Sequence, residues 1–143
     1  MTATLRSASV LGWSRGGERA PRNNLQGIMT TFGRQACYDD EPWSEHHDSR
    51  DAVRHYYEDL LVALPDLRID IAHRLAAEDA VALEVRISDT HLGPWSRLPP
   101  TGWRVEFPLC GLFTFDEEGK LAGERMHTVK VRPYLRLSAR LHL

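Results

Sequence analysis

Several things are scarce or missing in this chain, and each absence narrows its function. Two cysteines, Cys37 and Cys110, cannot build a disulfide framework. Thiols in a reducing compartment are their expected state, and a hydrophobic core must hold the fold. No apolar run approaches the length of a membrane span. The opening M-T-A-T-L-R-S-A-S-V-L-G-W has no apolar core of a signal peptide, so a cytoplasmic location is expected. A net charge of −2 without a basic stripe argues against a nucleic-acid partner and against an anionic membrane. There is no Gly-rich phosphate loop, no nucleophile elbow and no Cys–His pairing signature, so no cofactor is expected. Metal spacing is missing too. His46 and His47 are adjacent and cannot point the same way in an extended chain, and nothing in the spacing of His46, His91 and His127 asks for an ion.

What is present is an ordinary globular composition in a chain of 143 residues, 42% hydrophobic and 27% charged, enough for one domain with a real core. Residues 1–33 read as divergent N-terminal helices, one around Leu5 to Trp13 and another from Asn23 or Asn24 to Phe32. A short strand is expected near Gln35 to Tyr38, then a loop over Trp43-Ser44-Glu45-His46-His47. Asp48 or Ser49 caps the best helix, with Val53, Tyr56, Tyr57, Leu60, Leu61 and Leu64 on one face and Pro65 as its stop. Tyr56 and Tyr57 should split, one ring in the core and one at a helix edge. Leu67, Ile69 and Ile71 alternate with polar residues, as do Val81, Leu83, Val85 and Ile87, and each set predicts a half-buried strand. Helices followed by closely connected strands give an α+β order with a mostly antiparallel sheet.

The centre of the chain is the most specific part. It runs D-T-H-L-G-P-W-S-R-L-P-P-T-G-W-R-V-E-F-P-L-C-G-L-F-T-F from Asp89 to Phe115, then D-E-E-G-K-L-A-G-E-R-M-H to His127. Thr90 to Trp95 should close one strand. Pro99-Pro100 cannot sit inside a ladder, because each proline lacks a donor. Trp103 to Phe115 predicts a strand, with Pro108 and Gly111 marking a bulge or bend. Asp116 to Gly119 predicts a tight turn, and the last strand should run past His127 through Val129 and Val131. Pro133 ends it, before a short helix from Tyr134 to Leu141.

T-H-x-G, L-P-P-T-G, a Phe-rich strand and D-x-x-G-K-L-x-x-E-R together resemble the SnoaL-like polyketide cyclases of the nuclear transport factor 2-like superfamily, over roughly Tyr38 to His127. The resemblance implies a cone-shaped, curved, mostly antiparallel sheet with helices on its concave face, the cystatin-like arrangement. It also implies an apolar small-molecule ligand and a homodimer formed through the sheet. Polyketide cyclases of this kind use an aspartate on the last long strand as acid and base for an aldol closure, without cofactor or metal. Counting from Gly119-Lys120, that position holds Met126, and a thioether cannot move protons. A second polar position, a histidine on the preceding strand, falls near Gly111.

An imidazole or carboxyl inside an apolar cone would have its pKa moved toward neutrality, as acid–base catalysis requires. The catalytic candidates are therefore Glu124, His127 and His91. The ligand-binding candidates are Tyr38, Trp43, His46, Tyr56, Arg86, Trp95, Phe113 and Met126. Each has a plainer reading. Glu124-Arg125 can be an ordinary strand pair, His91 a residue that bonds its loop, and Glu84 and Arg86 outer-face groups. If Met126 points inward, so does Glu124, while His127 points outward. A buried Glu124 then needs a partner, with Arg86 or a tyrosine as the expected one. Two functions follow: a cofactor-independent cyclase or isomerase, or a non-catalytic module that holds a ligand unchanged or acts as a dimeric structural domain through its outer sheet face.

Overall fold

The computed structural model describes residues 25–41, 44–95 and 98–127. The expected helix around Leu5 to Trp13, Trp43, the continuation of the last strand through Val129 and Val131, and the helix from Tyr134 to Leu141 lie outside them. Eight elements follow in order: α1 (Leu25–Thr31), β1 (Phe32–Asp40), β2 (Glu45–His47), α2 (Arg50–Ala63), β3 (Arg68–Ala76), β4 (Ala80–Thr90), β5 (Arg104–Phe115) and β6 (Leu121–His127). No described helix is long and apolar enough to cross a membrane.

The strands form one open, curled sheet of order β2-β1-β6-β5-β4-β3. Four of its five pairings are antiparallel, and β1 runs parallel to β6. Most of the described chain lies between those two strands, so their parallel pairing needs no tight crossover. The sheet is thus mixed where local connectivity alone predicts antiparallel neighbours. Three further expectations are corrected. Residues 45–47 form a short strand on β1 rather than a loop. β4 ends at Thr90, and the chain then turns to the end of α2, where Leu92 N–H donates to Ala63 O at 2.9 Å. The β4–β5 register is unbroken past Pro108 and Gly111. On its other side β5 meets an irregularity in β6, where Phe115 pairs with Leu121 and Thr114 with Gly123, leaving Ala122 as an inserted residue; the register also shifts between Ile71 and His73 of β3 and between Phe32 and Cys37 of β1.

α2 forms where the apolar spacing puts it. Ser49 caps it by accepting from Ala52 N–H at 3.1 Å, Asp51 lies in the first turn, and Pro65 follows the last. Its buried residues Val53, Tyr56, Tyr57 and Ala63 join a core that includes Met29 of α1 and Phe32, Ala36 and Tyr38 of β1. The sheet contributes Val81, Leu83, Val85 and Ile87 of β4, Phe107, Phe113 and Phe115 of β5, and Leu121 and Met126 of β6. The β5–β6 turn is built as its residues require: Gly119 takes φ 76°, and Asp116 Oδ1 accepts from Glu118 and Lys120 N–H.

Gly93 is where the loop after β4 rests on the helix. A Cβ there would overlap the Val62 carbonyl oxygen and lie 2.8 Å from its carbon. Backbone cannot swing aside as a flexible side chain can, so Gly93→Ala is expected to destabilise the fold by about 2 kcal/mol or more. A denaturant melt should show a lower midpoint at an unchanged slope.

Candidate functional site

The site is assembled by sheet register. His47, Tyr38, Glu124, Phe113 and Val81 are successive partners across β2, β1, β6, β5 and β4. Asp40, Met126, Gly111 and Leu83 form a second row. The inserted Ala122 lies before Glu124, and from there Glu124 and Met126 alternate inward with Arg125 and His127 outward. Above these rows lies α2, whose adjacent residues Tyr56 and Tyr57 are both buried. The expected split of the two rings does not occur, because Tyr38 and Phe32 pack against the second one, with ring centroids 5.9 and 5.8 Å from Tyr57.

Glu124 is only 1% exposed. Its Oε2 accepts a 2.6 Å hydrogen bond from the Tyr57 hydroxyl, while its Oε1 is buried with no hydrogen-bond partner. Burial pushes the carboxyl from an ordinary 4.5 up to about 8, with the Tyr57 bond pulling the other way. A neutral carboxylic acid at neutral pH, with one oxygen uncommitted, is a proton donor ready for a ligand. The partner expected for Glu124 is therefore a tyrosine and not Arg86.

Beside it runs a second polar chain. Tyr38 O–H donates to the Tyr56 oxygen at 2.8 Å, and Tyr56 O–H donates to Asp40 Oδ2 at 2.9 Å. Their ring centroids lie 4.1 Å apart, with the planes tilted by 30°. Burial, followed by the charges nearby, raises all three tyrosine pKa values well above their usual 10. The hydroxyls therefore remain neutral donors over the working range. His47 closes the cluster against Tyr56, its ring 5.1 Å away and its Nε2 buried without a hydrogen-bond partner.

The predicted residues divide. Glu124, Tyr38, Tyr56, Phe113 and Met126 come together on the inner face. His91 does not join them: it lies beyond the far end of β4 from Val81, the β4 residue in Glu124's row. It is fully buried, burial lowers its pKa, and its Nδ1 pairs with Thr101 Oγ1 at 3.0 Å. Thr101 also accepts from Trp103 N–H, and His91 shares backbone hydrogen bonds with Trp103 and Gly102. The T-H and P-P-T-G segments thus clamp one loop. Trp95 packs there, between His91 and Phe107.

His127, His46 and Arg86 do not join the inner-face cluster. Strand parity turns all three to the outer face, where His46 bonds Asp39 and Arg86 bonds Glu106 at 3.0 Å. Trp43 lies outside the described residues. Tyr57, Asp40 and His47 join the cluster without a local sequence signal that marks them. The parallel pairing of β1 with β6 sets Asp40 opposite Met126, and the packing of α2 over the sheet brings Tyr57 onto Glu124. Among the described residues no group of three or more His, Cys, Asp or Glu could hold a metal ion.

The family model described as SnoaL-like polyketide cyclase matches residues 22–131. No curated protein matches the chain. Among solved structures, AclR from Streptomyces galilaeus, to which a hydroxylase activity is ascribed, is 27% identical, with TM-score 0.72 over 97% of this chain and 83% of its own. SalBIII, an epoxide hydrolase/cyclase-like enzyme of pyran ring formation in salinomycin, is 23% identical, with TM-score 0.62 over 74% of this chain and 78% of its own. RV0760c from Mycobacterium tuberculosis, solved with estradiol-17beta-hemisuccinate, is 11% identical, with TM-score 0.66 over 90% of this chain and 94% of its own. The last two likenesses speak for the fold alone.

Proposed function

Because the chain belongs to the SnoaL-like polyketide cyclase family, we propose that it is a cofactor-independent isomerase or cyclase acting on an apolar, cyclic or polyketide-like ligand. The observation that carries this is the buried Glu124 carboxyl, held by Tyr57 through one oxygen and unpartnered at the other. Glu124 gives a proton to a ligand oxygen, and Tyr57 fixes which carboxyl oxygen faces the ligand. Met126 and Phe113, flanking it on the inner face, supply apolar contact.

Met126 replaces the acid that the resemblance implies, two residues further along the same inward face. The space that a side chain at position 111 would need is filled: a Cβ on Gly111 would lie 2.9 Å from Met126 Sδ and 2.8 Å from the Phe113 ring. The proton donor thus sits at 124 instead of 126. The same substitution favours the second reading, a module that binds its ligand and returns it unchanged. A homodimer is proposed through the outer face, where Leu112, Ala82 and Leu75 are successive partners and both leucines are exposed.

The rate profile separates the two readings. An acid must be protonated to act, so kcat on cyclic ketone or polyketide-like substrates should fall as pH rises through about 8. Turnover that stays flat across that range, or no turnover of any bound ligand, would remove Glu124 from the chemistry.

A further inference from the structure

We infer that Met126 is the gate of this site, and that the space its thioether fills over Gly111 is the subsite for a flat apolar ring, so that Met126 sets the size of ligand admitted beside Glu124. The inference deepens the proposed role of Glu124, and takes from it only which end of the ligand lies at Oε1.

Glu124, Phe113 and Met126 are all buried, so a ligand reaches Glu124 Oε1 only when a covering side chain moves. The tyrosines are poorly suited to move. Tyr57 is held by Glu124 Oε2, Tyr56 by Asp40 Oδ2 and Tyr38 by the Tyr56 oxygen, and displacing any of them breaks a buried hydrogen bond. Phe113 carries a rigid ring that must sweep its whole width. Met126 has an unbranched, easily turned side chain and no hydrogen bond to lose. Its backbone is fixed on both sides: it pairs with Gly111 and with Asp40, and its carbonyl oxygen accepts from Glu41 N–H at 3.2 Å. Only the side chain can swing.

Gly111 shows what that swing uncovers. A Cβ there would lie 2.9 Å from Met126 Sδ, 2.8 Å from Phe113 Cε2 and 3.0 Å from Phe113 Cζ. Thioether and ring thus converge on one point of bare backbone. Contacts between sulfur and an aromatic ring are weak, and a ligand ring that takes the thioether's place restores the loss as a contact between rings. Glu124 and Met126 share the inner face two positions apart, about 7 Å along β6. A carbonyl that accepts from Oε1 therefore sets the ring bearing it over Gly111, in the place that Met126 leaves. Past Gly111, the paired Leu109 and Val85 continue the apolar inner face of β5 and β4. The ligand class is a flat apolar ketone, and the number of fused rings admitted depends on how far the thioether withdraws.

The test is a binding series on the full chain. Acetophenone, 2-acetylnaphthalene and 2-acetylanthracene serve as ketones of increasing ring count, and 2-ethylnaphthalene as the hydrocarbon control. Met126→Ala should shift relative affinity toward the largest ketone by about tenfold, as the apolar area of one ring predicts. Gly111→Ala puts a methyl group into the same space and should shift it the other way. If Met126→Ala does not fold, Met126→Ile serves: it keeps the bulk, stiffens the side chain and should weaken all three ketones. Methionine labelled at its methyl group gives a direct reading by NMR. The Met126 signal, identified by its loss in the variants, should move when 2-acetylnaphthalene saturates the protein, while that of Met29 stays. Variants that leave affinity and size order unchanged overturn the inference. So does a Met126 signal that stays in place at saturation, or a failure of every ketone to bind. The acid role of Glu124 falls separately: if 2-acetylnaphthalene binds no better than 2-ethylnaphthalene while the size order still follows Met126, Glu124 is not the donor and the gate stands.

Discussion

Glu124→Gln is expected to lower kcat by about 10²–10⁴-fold, with ligand affinity nearly unchanged. Glutamine has almost the same shape, and its amide oxygen can accept from Tyr57 as Glu124 Oε2 does. What it lacks is a transferable proton. A loss of turnover with intact binding places the group in the chemical step. Loss of both together would mean that Glu124 merely holds Tyr57 and the helix in place. Steady-state kinetics paired with calorimetric titration of a competitive ligand distinguishes the two.

The same substitution should make the protein more stable, and increasingly so as pH rises. The sign follows from linkage. Burial lifts the Glu124 carboxyl from 4.5 to about 8 in the folded chain. Between those values the folded state keeps a proton that the unfolded state has released. Stability due to this group is therefore fully present below about 4.5, declines as pH rises, and is lost once pH passes about 8. The full span is on the order of 5 kcal/mol, an upper figure because buried groups relax. Gln does not titrate and escapes the decline. Thermal melts of both proteins should run close together at about pH 5 and separate by about 10 °C at pH 9, with the variant higher. Parallel curves across that range would mean that Glu124 ionises freely and is not the proton donor described above.

Much of this arrangement could be read from the chain, for identifiable reasons. α2 shows itself through a cap, a one-sided apolar face and a stopping proline. β4 and β5 show themselves through strict alternation. The inward placement of Glu124 with Met126, and the outward placement of His127, follow from parity once β6 is recognised. What could not be read depends on contacts distant in sequence or on neutral residues. Glu45-His46-His47 carry no apolar alternation, and become a strand only because β1 offers an edge. Tyr57 meets Glu124 across 67 residues, a contact that only tertiary packing can supply. Pro108 and Gly111 are the conspicuous ladder-breakers, but β5 carries both without a shift in its register on β4. The bulge in β6 lies at Ala122, a residue with no local signal. His91 has the side chain of an acid–base catalyst. Its burial, and the threonine ten positions on that holds it, make it part of a loop clamp.

The inserted Ala122 also bears on how relatives are to be aligned. Side-chain direction in β6 is set by its cross-strand neighbours, Phe113 for Glu124 and Gly111 for Met126, and not by distance from the Gly119-Lys120 turn. In a homologue lacking the extra residue, the inward pair falls one place nearer that turn. Counting from the turn would then compare a lumen-facing group in one protein with a solvent-facing group in another. Anchoring the comparison on the strand opposite removes the offset, and decides whether an acid at a given column is a true counterpart of Glu124.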